Sequence, residues 1–152
     1  MNSDFILGVH ALVFLNHKAE TLNSETLAQN ICTNPVRVRR VMARLRKAGL
    51  VETRGWRENA GYFFPLPPDT VSLRQIADAL DARFVSTGWR SGAPHMKCRI
   101  ASGISGVVDN ILDDLNSQCL ERLEHITVQD VERQLFGGSS TSVETNEYAC
   151  LE

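Results

Sequence analysis

Residues 4–18 (DFILGVHALVFLNHK) are apolar almost throughout, and their length and flanks predict a buried helix, not a strand. A second helical pattern covers 22–31. Asn23 is placed to cap it, Glu25 sits in its first turn, and Leu22 is spaced to pack on Leu27. The break Cys32-Thr33-Asn34 follows. Asn34 then caps a further helix with Pro35 at its first position, where a missing N–H costs nothing, and Gly49 closes it. Along this helix Val38, Val41, Met42, Leu45 and Ala48 share one face, while Arg37, Arg40, Arg44 and Lys47 form a stripe roughly opposite.

Residues 50–54 and 62–66 are short apolar-aromatic runs separated by Gly55-Trp56-Arg57-Glu58-Asn59-Ala60-Gly61, which predicts a β-hairpin with a long loop. Pro65, Pro67 and Pro68 end its second strand. Ser72 with Gln75 forms a capping box and Val71 with Ile76 a staple, so 73–82 is predicted as a helix. Residues 86–95 read as a loop. The longest periodic segment is 97–123, where Ile100, Ile104, Val107, Ile111, Leu115 and, after Cys119, Leu123 recur at spacings of three and four. A cap and staple in Ile126-Thr127-Val128-Gln129-Asp130-Val131 open a short helix to about Leu135.

Two short helices joined by a tight break and followed by a hairpin give the order of a winged helix-turn-helix. The predicted fold is mainly α with a small β-hairpin wing and a long helix appended. It divides into a winged domain at 1–84, a loop at 85–96, a dimerisation helix with a short C-terminal helix at 97–136, and a tail at 137–152. The tail is polar, small and acidic, and disorder is expected there.

Charge sharpens the picture. The chain is -2 overall, but residues 34–57 hold eight basic side chains against Glu52 alone, a net of +7. The remainder carries 8 basic and 17 acidic residues, or -9. A local basic block in an acidic chain points to a polyanionic partner at one surface. In this motif the start of the second helix enters the major groove. Asn34, Val36, Arg37, Arg39 and Arg40 are therefore candidate base readers, since Arg pairs with guanine and Val meets a thymine methyl. Arg44, Lys47 and Arg54 are placed to hold phosphates. Trp56 and Arg57 at the hairpin tip can reach a minor groove or flanking phosphate. The competing reading of the basic face is ordinary solvation, and for Trp56 it is packing within the hairpin.

The segment LNSETLAQNICTNPVRVRRVMARLRKAGLVETRG…AGYFFPLPPDTVSLRQIADALD resembles the Rrf2 type of bacterial winged-helix regulators, most clearly in RLRKAGLV, in Gly61-Tyr62, and in the P-x-x-x-x-S-L-R-x-I run. The likeness covers about residues 1–135. It implies transcriptional control, usually repression, by a homodimer whose long helices cross; two recognition helices so paired predict an inverted-repeat operator in double-stranded DNA. The apolar positions of 97–123 (Ile100, Ile104, Val107, Ile111 and Leu115) independently exceed what one small winged domain can cover. Two departures stand out. The family's run of wing glycines is replaced by Trp56-Arg57-Glu58-Asn59-Ala60-Gly61. Cluster-binding members carry three cysteines near the start of the long helix, and here only Cys98 remains at what matches the third.

One thiol cannot hold an iron–sulfur cluster, which takes about four protein ligands, so neither cofactor nor metal is expected, His95 beside Cys98 notwithstanding. Cys98 is instead a candidate redox switch, because a helix start and the flanking Lys97 and Arg99 favour its thiolate. Cys32 is expected to be packed, Cys119 to lie in the core or a dimer seam, His10 to be buried or half-buried, and His17 solvated. No phosphate-cradling Gly loop, HExxH or nucleophile elbow is present, so no enzyme is expected. No apolar run reaches the ~20 residues of a membrane span and no secretory leader is evident, which predicts a cytoplasmic protein without membrane contact. The competing class is a winged-helix module that meets a protein or RNA without sequence-specific DNA binding.

Overall fold

A computed structural model of the chain describes residues 2–137. The tail expectation for 137–152 falls, Gly137 excepted, outside the described residues, as do Cys150, Leu151 and Glu152.

Helix α1 (Asn2–Lys18) lies against the remainder of the core through Leu7, Ala11, Leu12 and Leu15. Helix α2 (Ser24–Ile31) starts where the Asn23 side chain accepts the Thr26 N–H at 2.8 Å. It ends at Cys32, whose φ of 61° turns the chain. Helix α3 (Pro35–Lys47) is capped by Asn34, which accepts the Arg37 N–H at 2.8 Å, and it buries Val38, Val41, Met42 and Leu45 completely. Gly49 takes a φ of 78°, a left-handed conformation that a side chain would strain, and so redirects the chain into the wing.

The wing pairs β1 (Glu52–Arg54) with β2 (Gly61–Phe63) in the register Glu52↔Phe63, Thr53↔Tyr62 and Arg54↔Gly61. Both strands are shorter than the sequence predicts. Leu50 is still part of the helix exit, donating to the Leu45 carbonyl at 3.0 Å, and Leu50 and Val51 are core residues. At the other end Phe64 turns into the core and Pro65 has no N–H to pair. The wing is anchored to the chain before α2: Leu22 and Tyr62 exchange N–H···O bonds of 2.9 and 2.8 Å. This approach explains Gly61, where a Cβ would lie 2.5 Å from the Leu22 carbonyl oxygen.

Helix α4 (Leu73–Ala79) carries the Ser72–Gln75 capping box. It stops before the predicted end at 82, because Asp81 turns with a φ of 49°. Helix α5 (Arg99–Glu124) is the longest element, and α6 (Val128–Phe136) opens on a capping box of Thr127 and Asp130. The starts of α4 and α6 are stitched together: Leu73 N–H donates to the Ile126 carbonyl at 2.8 Å, and Val128 N–H to the Val71 carbonyl at 3.0 Å.

A buried polar residue helps to hold α5 against the winged part. Asn116 is buried on α5 and its Oδ1 accepts the N–H groups of Phe84 and Val85 at 3.0 and 2.8 Å. Its Nδ2 donates to the Val85 and Leu112 carbonyls. Phe84 in turn meets Phe5 edge-on, with ring centroids 5.1 Å apart. A groove of about 440 Å³ with apolar walls runs between α1 and α6, lined in part by Ile6, Val13 and Phe136.

Several residues sit elsewhere than expected. Cys32 is exposed, because as the left-handed cap of α2 it faces away from the core. Ala48 is exposed, since α3 ends before it completes another buried turn. His10 is exposed, although its Nε2 lies 2.7 Å from Asn30 Oδ1. His17 is exposed as expected, yet it stacks on Phe136 at 4.3 Å and pairs with Glu132 at 3.0 Å. Leu123 leaves the ridge of its helix and packs against the core.

Candidate nucleic-acid interface

Burying Val38, Val41, Met42 and Leu45 fixes the rotation of α3, and with it where each basic side chain goes. At 3.6 residues per turn, Val36, Arg40, Ala43 and Lys47 fall farthest from the buried face. All four are exposed. Arg37 and Arg44 fall on one flank and Arg39 and Arg46 on the other. The stripe expected to project outward is therefore divided: Arg40 and Lys47 point out, while Arg37 and Arg44 lean back onto neighbouring elements.

Each leaning arginine meets an acid or hydroxyl. Arg37 donates to Asp4 Oδ1 of α1 through Nε at 3.2 Å and Nη2 at 3.0 Å. Arg40 Nη2 also reaches that carboxylate, at 3.3 Å from each oxygen. Arg44 pairs with Asp81 at 2.7 Å. On the other flank Arg39 donates to Ser24 Oγ and Glu25, both at 3.1 Å, and Arg46 Nη1 lies 3.5 Å from Thr53 Oγ1 of the wing. Asp4, Ser24, Glu25 and Asp81 thus belong to the basic surface. Sequence reasoning missed them because each lies outside the basic block; the only signal was an acid in the first turn of α1 and of α2.

Burial alone raises the Asp4 carboxyl, but the hydrogen bonds and charges of Arg37 and Arg40 outweigh it and hold it below the ordinary carboxylate value. Its stabilisation is therefore present above that ordinary value and is lost as pH falls through the lowered one. Glu25 is likewise held low, first by its own backbone N–H, then by Ser24 and Arg39.

In the wing, Arg54 pairs with Glu52 at 2.9 Å and lies 3.7 Å from the centroid of the Phe63 ring. Trp56 is 78% exposed at the hairpin tip, so packing within the hairpin does not account for it. Arg57 follows it, exposed, with a φ of 52°. A cleft of about 290 Å³ separates the wing strands from Asn23, Ser24, Glu25 and Arg39. Asn34 itself is exposed at the start of α3, with its side chain engaged in the cap.

The sequence-predicted ridge of α5 is solvent-facing in the protomer. Ile100 is 74% exposed, and Val107, Ile111 and Leu115 are also exposed, with Ile104 half-buried. Cys98 is the exposed N-cap of α5. Its thiol is lowered by the backbone N–H groups of Ala101 and then Ile100, not by Lys97 and Arg99. Among the described residues no group of three or more His, Cys, Asp or Glu is placed to hold a metal ion, and no helix is long and apolar enough to cross a membrane.

Comparison with known proteins agrees with this geometry. Residues 1–134 match the family model Rrf2, described as an iron-dependent transcriptional regulator. YwnA of Bacillus subtilis (strain 168), to which the role of HTH-type transcriptional regulator is ascribed, is 25% identical over 136 residues, covering 90% of this chain and 99% of that protein. The crystal structure of a protein from Lactobacillus plantarum, to which a transcriptional-regulator role is given, superposes with a TM-score of 0.78 at 24% identity, covering 89% of this chain and 91% of the other. IscR of T. potens superposes with a TM-score of 0.67 at 16% identity, covering 94% and 93%.

Proposed function

The chain belongs to the Rrf2 family of transcriptional regulators, and on that premise we propose that it acts in the cytoplasm as a homodimeric repressor that binds an operator of two inverted half-sites. The observation that carries this reading is the outward ridge of α3, where Val36, Arg40 and Lys47 stand exposed on a helix whose opposite face is wholly buried. A helix so fixed holds Val36 and Arg40 in one orientation suited to base edges, with Lys47 beside them suited to phosphate. The wing adds Trp56 and Arg57 beside it. The uncovered ridge of α5 supports the dimer, since a single protomer leaves Ile100, Val107, Ile111 and Leu115 in water.

Binding-site selection from random duplex DNA, followed by footprinting, tests the reading. A preferred sequence with two inverted half-sites is the expected result. Equal affinity for any polyanion would overturn it. Arg40→Ala is expected to weaken the selected site by about 1–3 kcal/mol and to relax choice at particular base pairs. Lys47→Ala should weaken all sequences alike and reduce the salt slope by about 1. The same uniform loss for both variants would mean that α3 does not read bases. Repression is tested by placing the selected site over a reporter promoter, where supplying the protein should lower expression.

A further inference from the structure

Four carboxylates lie against the basic surface, and one differs in kind from the rest. Glu25, Glu52 and Asp81 have side chains 60%, 51% and 90% exposed, and each pairs with a single arginine. Pairs of that sort contribute little in water. Asp4 is 13% exposed and holds two arginines at once. Both belong to the N-terminal half of α3, the part of the motif that enters the major groove.

We propose that Asp4 is a positioning residue for base readout, holding Arg37 and Arg40 in fixed orientations so that their free N–H groups meet base edges and not whichever phosphate is nearest. The inference rests on the reading of α3 as the recognition helix. Arg37 engages Asp4 through Nε and Nη2, which leaves its Nη1 donors without a partner among the described residues; Arg40 engages it through Nη2, which leaves Nε and Nη1 likewise. Guanine offers two acceptors, O6 and N7, to such donors. A guanidinium already pinned loses less freedom on meeting a base, so pinning favours the matched sequence. The same carboxylate offsets one of the two positive charges and so weakens attraction to phosphates of any sequence. Asp4 therefore acts with opposite sign on the two kinds of binding.

The test uses the full chain, the duplex obtained by site selection, and a scrambled duplex of equal length, across a range of salt. Asp4→Asn keeps the shape and removes the charge. It is expected to lower the ratio of selected to scrambled affinity about tenfold. Affinity for scrambled DNA should rise, and the salt slope should steepen by about one phosphate contact. In an Arg37→Ala/Arg40→Ala background, the Asn substitution should leave the ratio where the two alanines put it. Asp4→Glu keeps the charge but moves the carboxylate by one methylene. It should lower the ratio without any gain on scrambled DNA, and it serves where the Asn variant does not fold. Equal changes on both duplexes, an unchanged ratio in both Asp4 variants, or a further drop in the double-alanine background would overturn the proposal. A wild type without any sequence preference would overturn the reading of α3 itself, and this proposal with it.

Discussion

Individual side chains here draw their chemistry from backbone placement as much as from charged neighbours. Cys98 is the clearest case. It caps α5, and the N–H groups of Ala101 and Ile100 favour its thiolate. A lowered thiol pKa means that the reactive form persists to lower pH. Alkylation by iodoacetamide is therefore expected at Cys98 before Cys32 or Cys119, with the difference widening as pH drops from 8 toward 6.5; mass-spectrometric mapping reads it directly. Equal rates at Cys98, Cys32 and Cys119 would remove the basis for a redox role. The cysteine's position was legible in sequence, as were the caps Asn23 and Asn34, because a cap acts on residues two or three places along the chain. The pairing of Arg37 with Asp4 was not legible. Those residues lie 33 apart, and nothing in a local pattern says which acid a flanking arginine will find.

At the scale of elements the helices were readable and their margins were not. An apolar run located α1, and periodicity or caps located the other five α-helices of the described residues, since such a helix buries one face and a cap has a short-range signature. The wing was misjudged by a few residues at each end. Leu50, Val51 and Phe64 are apolar because they enter the core, not because they pair as strand residues. The residue that joins two elements was also invisible: Asn116 sits among charged neighbours on α5 and looks like one more surface polar group. It is buried and meets two backbone N–H groups and two carbonyls. Asn116→Ala would leave the amides of Phe84 and Val85 without a partner, which should destabilise the fold by about 2 kcal/mol. Hydrogen exchange at those two amides should quicken more than at the α3 backbone. Undiminished protection there, with an unchanged melting temperature, would mean that the 84–85 segment is held by packing alone.

The whole molecule presents two distinct surfaces. The basic surface lies on α3 and the wing, and the apolar ridge of α5 stands uncovered in the protomer. The ridge is uncovered because Asn116 and Leu123 already use the inner side of that helix against the winged part. Ile100, Val107, Ile111 and Leu115 then face out. Gly103 and Gly106 lie along the same exposed stretch with open space where a Cβ would stand, so a second helix can approach closely there. If two copies of α5 cross on this ridge, two α3 helices are carried on one rigid frame. A separation of about 34 Å would set them one duplex turn apart. Linking two half-site contacts in this way raises affinity by about 10²–10⁴ over a single contact. Ile111→Asp and Leu115→Asp place a charge on the ridge without touching the protomer's own core. Each is expected to give a folded monomer, by sedimentation and circular dichroism, that binds the selected operator at least about a hundredfold more weakly. Its affinity for an isolated half-site should stay close to that of the wild type, because α3 and the wing are intact. Dimers of ordinary stability in both variants would move the interface off this ridge. Monomers that still bound the full operator at wild-type strength would show that dimerisation is not what joins the two half-sites.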